Sequence, residues 1–113
     1  MVRQKEQARL DVREATQKDV PGIVRLVNRV YPDFEPYAAG EIRGQINNFR
    51  DGCFVAVLDG DIVGYCATIR VAERRALAAH SWSEISGGGF GSRHDPKGDW
   101  LYGYEMEIGR AHV

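Results

Sequence analysis

The stretch Cys53-Phe54-Val55-Ala56-Val57-Leu58-Asp59-Gly60-Asp61-Ile62-Val63-Gly64-Tyr65-Cys66-Ala67-Thr68-Ile69-Arg70 decides the fold. Asp59-Gly60 lies between two apolar runs and predicts a two-residue type I′ turn, because both central positions of that turn need a left-handed backbone. With Leu58 opposite Asp61, a regular register pairs Val57 with Ile62, Val55 with Gly64 and Cys53 with Cys66. Phe54, Ala56, Val63, Tyr65 and Ala67 then share the other face. Both faces are apolar, so the hairpin is expected in the middle of a sheet covered on both sides by helices, an α/β architecture. The two cysteines would face each other. They are too few for a disulfide scaffold and lack a Cys-x-x-Cys spacing, so both are expected to be reduced.

Toward the N-terminus, Ala39, Ile42, Ile46 and Phe49 recur at helical spacing and stop before Asp51-Gly52. An earlier helix is predicted by Val20, Ile23, Val24, Val27 and Val30, opened by a capping box from Thr16 to Asp19 and closed at Tyr31-Pro32. Pro21 fits its first turn, where the missing N–H has no partner to lose. Between the helices, Tyr31-Pro32-Asp33-Phe34-Glu35-Pro36-Tyr37 is an aromatic loop, suited either to line a pocket or to pack as a corner. Leu10-Asp11-Val12-Arg13 alternates as a short half-buried strand, and residues 1–9 are polar and aperiodic, expected to form a mobile tail.

Toward the C-terminus, Glu73 to His80 suggests a short helix, and Gly87-Gly88-Gly89-Phe90-Gly91-Ser92 is flexible by composition. An excursion of this length in a compact domain is more often functional than structural, with disorder as the alternative. Trp100-Leu101-Tyr102-Gly103-Tyr104-Glu105-Met106 returns to strand composition.

The 113 residues make one domain, with 15 Lys plus Arg against 16 Asp plus Glu. A formal charge of −1 gives no long-range field for nucleic acid or anionic lipid, so small molecules or proteins are the expected partners. No apolar run approaches the roughly 20 residues that span a bilayer, and Met1-Val2-Arg3-Gln4-Lys5-Glu6-Gln7 does not open a secretion signal. A cytoplasmic protein without a membrane partner is expected.

Several chemistries compete. The glycine run lacks both a preceding strand and a Gly-Lys-Ser/Thr, so it makes a poor phosphate loop and a better mobile segment beside a substrate. His80, Glu84, His94 and Asp95 include metal-ligand types, but three scattered histidines rarely converge, and no metal is expected. Ser92, His94 and Asp95 are too close in sequence to form a hydrolytic relay. Glu105 lies in an aromatic strand where partial desolvation would favour proton acceptance; the bland alternative is a paired or solvated carboxylate at a strand end.

The order strand, helix, aromatic loop, helix, apolar hairpin, excursion, strand resembles the front half of a GNAT family N-acetyltransferase. Val12-Arg13-Glu14-Ala15-Thr16-Gln17-Lys18-Asp19-Val20-Pro21-Gly22-Ile23 is similar to the family's first strand and helix, and Phe54 to Tyr65 to its central hairpin. His80-Ser81-Trp82-Ser83-Glu84-Ile85-Ser86-Gly87 and His94 to Gly103 resemble the acetyltransferase module that some bacterial proteins carry ahead of a nitrilase-like carbon-nitrogen hydrolase domain. The resemblance covers most of residues 10–106. It implies a partial GNAT fold, with a mixed, mostly antiparallel sheet, and acetyl transfer from acetyl-CoA to a small-molecule or peptide amine. It further implies Glu105 as the catalytic carboxylate, Tyr31, Phe34, Tyr37 and Tyr102 on the acceptor side, and Met106 as a backbone contact for the cosubstrate. A carbon-nitrogen hydrolase domain in the full-length protein is implied as well. The rival reading is a non-catalytic, metabolite-sensing module that regulates such a domain.

One departure matters. The family's pyrophosphate cradle, a basic glycine-rich turn opening a helix, should follow the fourth strand, whereas here Glu107-Ile108-Gly109-Arg110-Ala111-His112-Val113 follows. Ile108 to Val113 resembles a translated sequencing adapter, so 107–113 is expected to be a non-native tail in which Arg110 and His112 carry no chemistry. This polypeptide alone is expected to show no acetyltransferase activity and poor stability.

Overall fold

A computed structural model describes residues 9–31 and 39–109. Residues 1–8 of the tail expected over 1–9, the loop residues Phe34 and Tyr37, and Arg110 and His112 lie outside the described residues. In chain order the elements are β1 (Leu10–Glu14), α1 (Val20–Val30), α2 (Ala39–Asn48), β2 (Cys53–Leu58), β3 (Asp61–Val71), α3 (Glu73–Leu77), α4 (Trp82–Ser86) and β4 (Trp100–Ile108). The strands form one antiparallel sheet in the order β1-β2-β3-β4.

The α1 start follows its sequence signals. A 3-10 turn over Gln17–Asp19 precedes the helix, and the Asp19 carboxylate accepts from the Thr16 N–H and from both ends of the Arg13 guanidinium, each at 2.8 Å. That fork ties β1 to the first turn of α1. These bonds, those of Arg13 foremost, hold the Asp19 carboxyl below its ordinary range against the opposing effect of burial. Val20, Ile23, Leu26 and Val27 form the buried stripe of α1; Ile42, Gln45 and Ile46 form that of α2.

The hairpin turn is as expected, with φ +49° at Asp59 and +90° at Gly60. The register is not. Leu58 faces Asp61 and Val57 faces Ile62, but a bulge between Ala56 and Val57 then pairs Ala56 with Gly64, Val55 with Tyr65, Phe54 with Cys66 and Cys53 with Ala67. The extra residue moves every later β3 side chain to the opposite face. Cys53 is therefore buried on the helix side, partly buried Cys66 lies on the far side, and the predicted cysteine pair does not form. Burial pushes the Cys53 thiol up to about 11, which suppresses its thiolate.

The core joins Cys53, Val55, Tyr65, Ala67 and Ile69 of the sheet to the stripes of α1 and α2 and to Ile85 of α4. The opposite face carries Leu10, Val12, Phe54, Met106 and Ile108, all 39–74% exposed. Among the described residues, helices thus cover one of the two faces expected to be covered. All five β1 residues are exposed, so the predicted half-burial of this edge strand is also absent.

The excursion is more regular than its composition suggests. Ser81 and Glu84 form a capping box on α4, and Gly87 ends that helix with φ +68°. Phe90 then packs on α2, where a Cβ at Gly44 would sit 3.0 Å from its ring.

Candidate functional site

The site is built on β4. A second bulge pairs Ala67 with Glu105 but Thr68 with Gly103, leaving Tyr104 without an opposite residue. Side chains of a regular strand alternate between faces, yet consecutive Tyr104 and Glu105 are both buried here. Glu105 is 8% exposed, and Glu107, two residues on and on the same face, is 2% exposed. Burial foremost, and then the hydrogen bond and charge of Glu105, raise the Glu107 carboxyl well above the ordinary range. One Glu107 oxygen and the Tyr104 hydroxyl are buried without a hydrogen-bond partner among the described residues. Glu107 falls in the stretch expected to be a non-native tail, where it had no expected role. Its strand pairing with Tyr65 is made by backbone groups, which form a ladder whatever side chain stands there.

Two side chains reach the main chain of β4 on either side of Glu105. The Trp82 indole N–H donates to the Tyr104 carbonyl at 2.7 Å, and the Tyr31 hydroxyl donates to the Met106 carbonyl at a long 3.5 Å. Residues two apart on a strand direct their main-chain groups to the same edge, so both contacts mark one side of β4. The Met106 carbonyl accepts on that side, while its side chain is 61% exposed on the far face. Tyr31 and Glu105 converge on this segment. Tyr102 lies further along β4, half-buried and edge-on to His80 at 5.5 Å between ring centroids.

Behind the strand lies a buried polar chain that sequence analysis missed. Tyr65 donates to the Gln45 side-chain oxygen at 2.6 Å, and the Gln45 amide donates to the Gly89 carbonyl at 2.7 Å. Gln45 occupies a helical core position that normally takes an apolar residue; the only sequence signal was its spacing one turn from Ile42 and beside Ile46.

The other candidates resolve into structural roles. Glu84 caps α4, and no group of three metal-ligating side chains occurs among the described residues. His94 stacks on Phe49 at 4.1 Å, and its Nδ1 accepts from the Arg70 N–H at 3.0 Å. This contact, with Asp95 N–H donating to the Arg70 carbonyl at 2.9 Å, fixes the end of the excursion to β3.

No family model matches the chain. It is 27% identical over 97 residues to the protein named Probable hydrolase YhcX of Bacillus subtilis, covering 86% of this chain and 19% of that protein. It is 22% identical over 103 residues to Uncharacterized N-acetyltransferase YkwB of the same organism, covering 88% of this chain and 46% of that one. Among solved structures, the GphF GNAT-like decarboxylase in complex with isobutyryl-CoA superposes with a TM-score of 0.75 at 28% identity, over 90% of this chain and 51% of the other. The loading GNATL domain of CurA from Lyngbya majuscula gives a TM-score of 0.73 at 17% identity, over 88% and 48%. The chain therefore spans about half the length of these structures and less than half of either curated relative. No helix among the described residues is long and apolar enough to cross a membrane. Strand order, helix placement and sequence likeness agree: the chain has a GNAT-like fold.

Proposed function

We infer that this chain is the acceptor-side part of a GNAT-type N-acetyltransferase that moves an acetyl group from acetyl-CoA to a small-molecule or peptide amine. The observation that carries the reading is the β4 bulge, which turns Glu105 into the protein beside the strand segment contacted by Tyr31 and Trp82. A carboxylate there is suited to take the proton of an attacking ammonium or amine, directly or through water, while β4 main-chain groups near Met106 hold the thioester arm. The isobutyryl-CoA complex of the GphF domain supports a CoA thioester as donor. Likeness to a hydrolase five times longer than the aligned region supports a carbon-nitrogen hydrolase domain in the whole protein. We place that protein in the bacterial cytoplasm, with Tyr102, Phe34 and Tyr37 on the acceptor side and 107–113 as a non-native tail.

The test is CoA release from acetyl-CoA with a panel of amines, run on this polypeptide and on a protein that carries it at the full length of the relatives it matches. Turnover by the latter alone is expected. There, Glu105→Gln should lower kcat about 100-fold or more without loss of fold. Full activity in Glu105→Gln would remove its role, and no CoA release with any amine would overturn the transferase reading.

A further inference from the structure

A second site lies away from β4's buried carboxylates. Lys18, Gly22, Arg25 and Arg29 recur along one stripe from the turn preceding α1 to its end, and this stripe borders a cleft of about 400 Å³ closed on the other side by Asp61 and Ile62 of β3. That volume accommodates a small ligand. Arg13 also borders the cleft, but its guanidinium is held by Asp19. Lys18, Arg25 and Arg29 are exposed and make no hydrogen bond or ion pair with any described residue. Arg25 and Arg29 stand one turn apart, a like-charge spacing that weakens a helix unless an anion bridges it.

Gly22 gives the cleft its depth. A Cβ there would sit 2.9 Å from Ile62 Cδ1 and 3.7 Å from Arg25 Nη2, so the missing side chain lets the guanidinium fold back toward β3. Four cations against Asp19 and Asp61 leave two positive charges in excess, within a chain whose formal charge is −1.

We propose that the cleft between α1 and the start of β3 binds a phosphate-bearing small molecule through Lys18, Arg25 and Arg29. Guanidinium groups match phosphate oxygens through paired N–H donors, and Lys18 adds a point charge at the same opening. Asp61 favours ligands that present phosphate toward α1 and a hydroxyl or other donor toward β3. The proposal does not require the acyl-transfer reading, because its probe is inorganic pyrophosphate.

Calorimetric titration of this chain with pyrophosphate should show saturable binding whose affinity falls several-fold as salt rises from low to physiological strength. Arg25→Gln and Arg29→Gln should each weaken it about tenfold, and Arg25→Glu with Arg29→Glu should abolish it. Arg74→Glu, a charge reversal on α3 away from the cleft, is the control, and circular dichroism checks that each variant keeps the fold. Displacement of pyrophosphate by coenzyme A would identify the nucleotide end of the cosubstrate as the ligand. Displacement by a phosphate monoester such as glucose 6-phosphate, but not by coenzyme A, would identify a separate metabolite. No saturable binding, or an equal loss in Arg74→Glu, overturns the proposal.

Discussion

Tyr65→Phe tests whether the buried chain from Tyr65 through Gln45 to Gly89 links the sheet, α2 and the glycine turn. Gln45 is fully buried and Tyr65 is 3% exposed, so water cannot replace a deleted partner. Removing the Tyr65 hydroxyl strands one acceptor, the Gln45 oxygen bonded at 2.6 Å. Gln45→Leu strands the Gly89 carbonyl, bonded at 2.7 Å, and leaves the Tyr65 hydroxyl only the weakly bonding Cys53 thiol. The double variant strands only the Gly89 carbonyl. At about 1–2 kcal/mol for each stranded or weakly bonded group, the expected losses are about 1–2 for Tyr65→Phe, 2–4 for Gln45→Leu and 1–2 for the pair. Urea unfolding at constant m-value measures all three. The decisive feature is order: adding Tyr65→Phe to Gln45→Leu should restore stability. Additive losses, with the double variant the least stable, would refute the linkage.

Asp19→Asn should cost about 1–2 kcal/mol at pH 7, a value kept modest because Arg13 is half-exposed. Since the folded Asp19 pKa is lowered, its stabilisation is complete above the unfolded carboxyl value and disappears as pH falls through the folded one; Asp19→Asn should flatten that acid limb in urea unfolding. Burial, with Arg70 second, lowers the His94 pKa below 6.5, so the folded chain binds fewer protons and stability should fall as pH drops from about 6.5 toward that lower value. His94→Ala should remove this slope, and an unchanged slope would assign it elsewhere. Gly98→Ala would place a Cβ 2.5–2.6 Å from Val71 backbone atoms and disturb the 2.7 Å bond from Arg70 Nε to the Gly98 carbonyl, a loss of about 1–3 kcal/mol. Gly40→Ala meets nothing within 4 Å in α2 and should instead stabilise by up to about 1 kcal/mol, both changes read by urea unfolding.

The sequence by itself determined the features whose causes are local. The Asp59-Gly60 turn, the Thr16–Asp19 box and the entry at Pro21 each depend on residues within a few positions and stand where their spacing placed them; the apolar stripe of α1 does so at Val20, Ile23 and Val27, while Leu26 joins it and Val24 and Val30 are only partly buried. The resemblance to a GNAT-like domain followed from the order of these elements. Tertiary structure decided what depends on distant partners. A single extra residue in each of two ladders reversed the cysteines and turned Tyr104 and Glu105 the same way, and a bulge carries no marker in a continuous apolar run. Gln45 became a core residue because Tyr65 and Gly89, 20 and 44 residues away, supply its partners. The cationic cleft has the same origin: helical spacing aligns Lys18, Arg25 and Arg29, but only the packing of α1 beside Ile62 faces that stripe against β3. Local backbone preference acts over one or two turns, whereas side-chain environment is set by whichever segments the folded chain brings together.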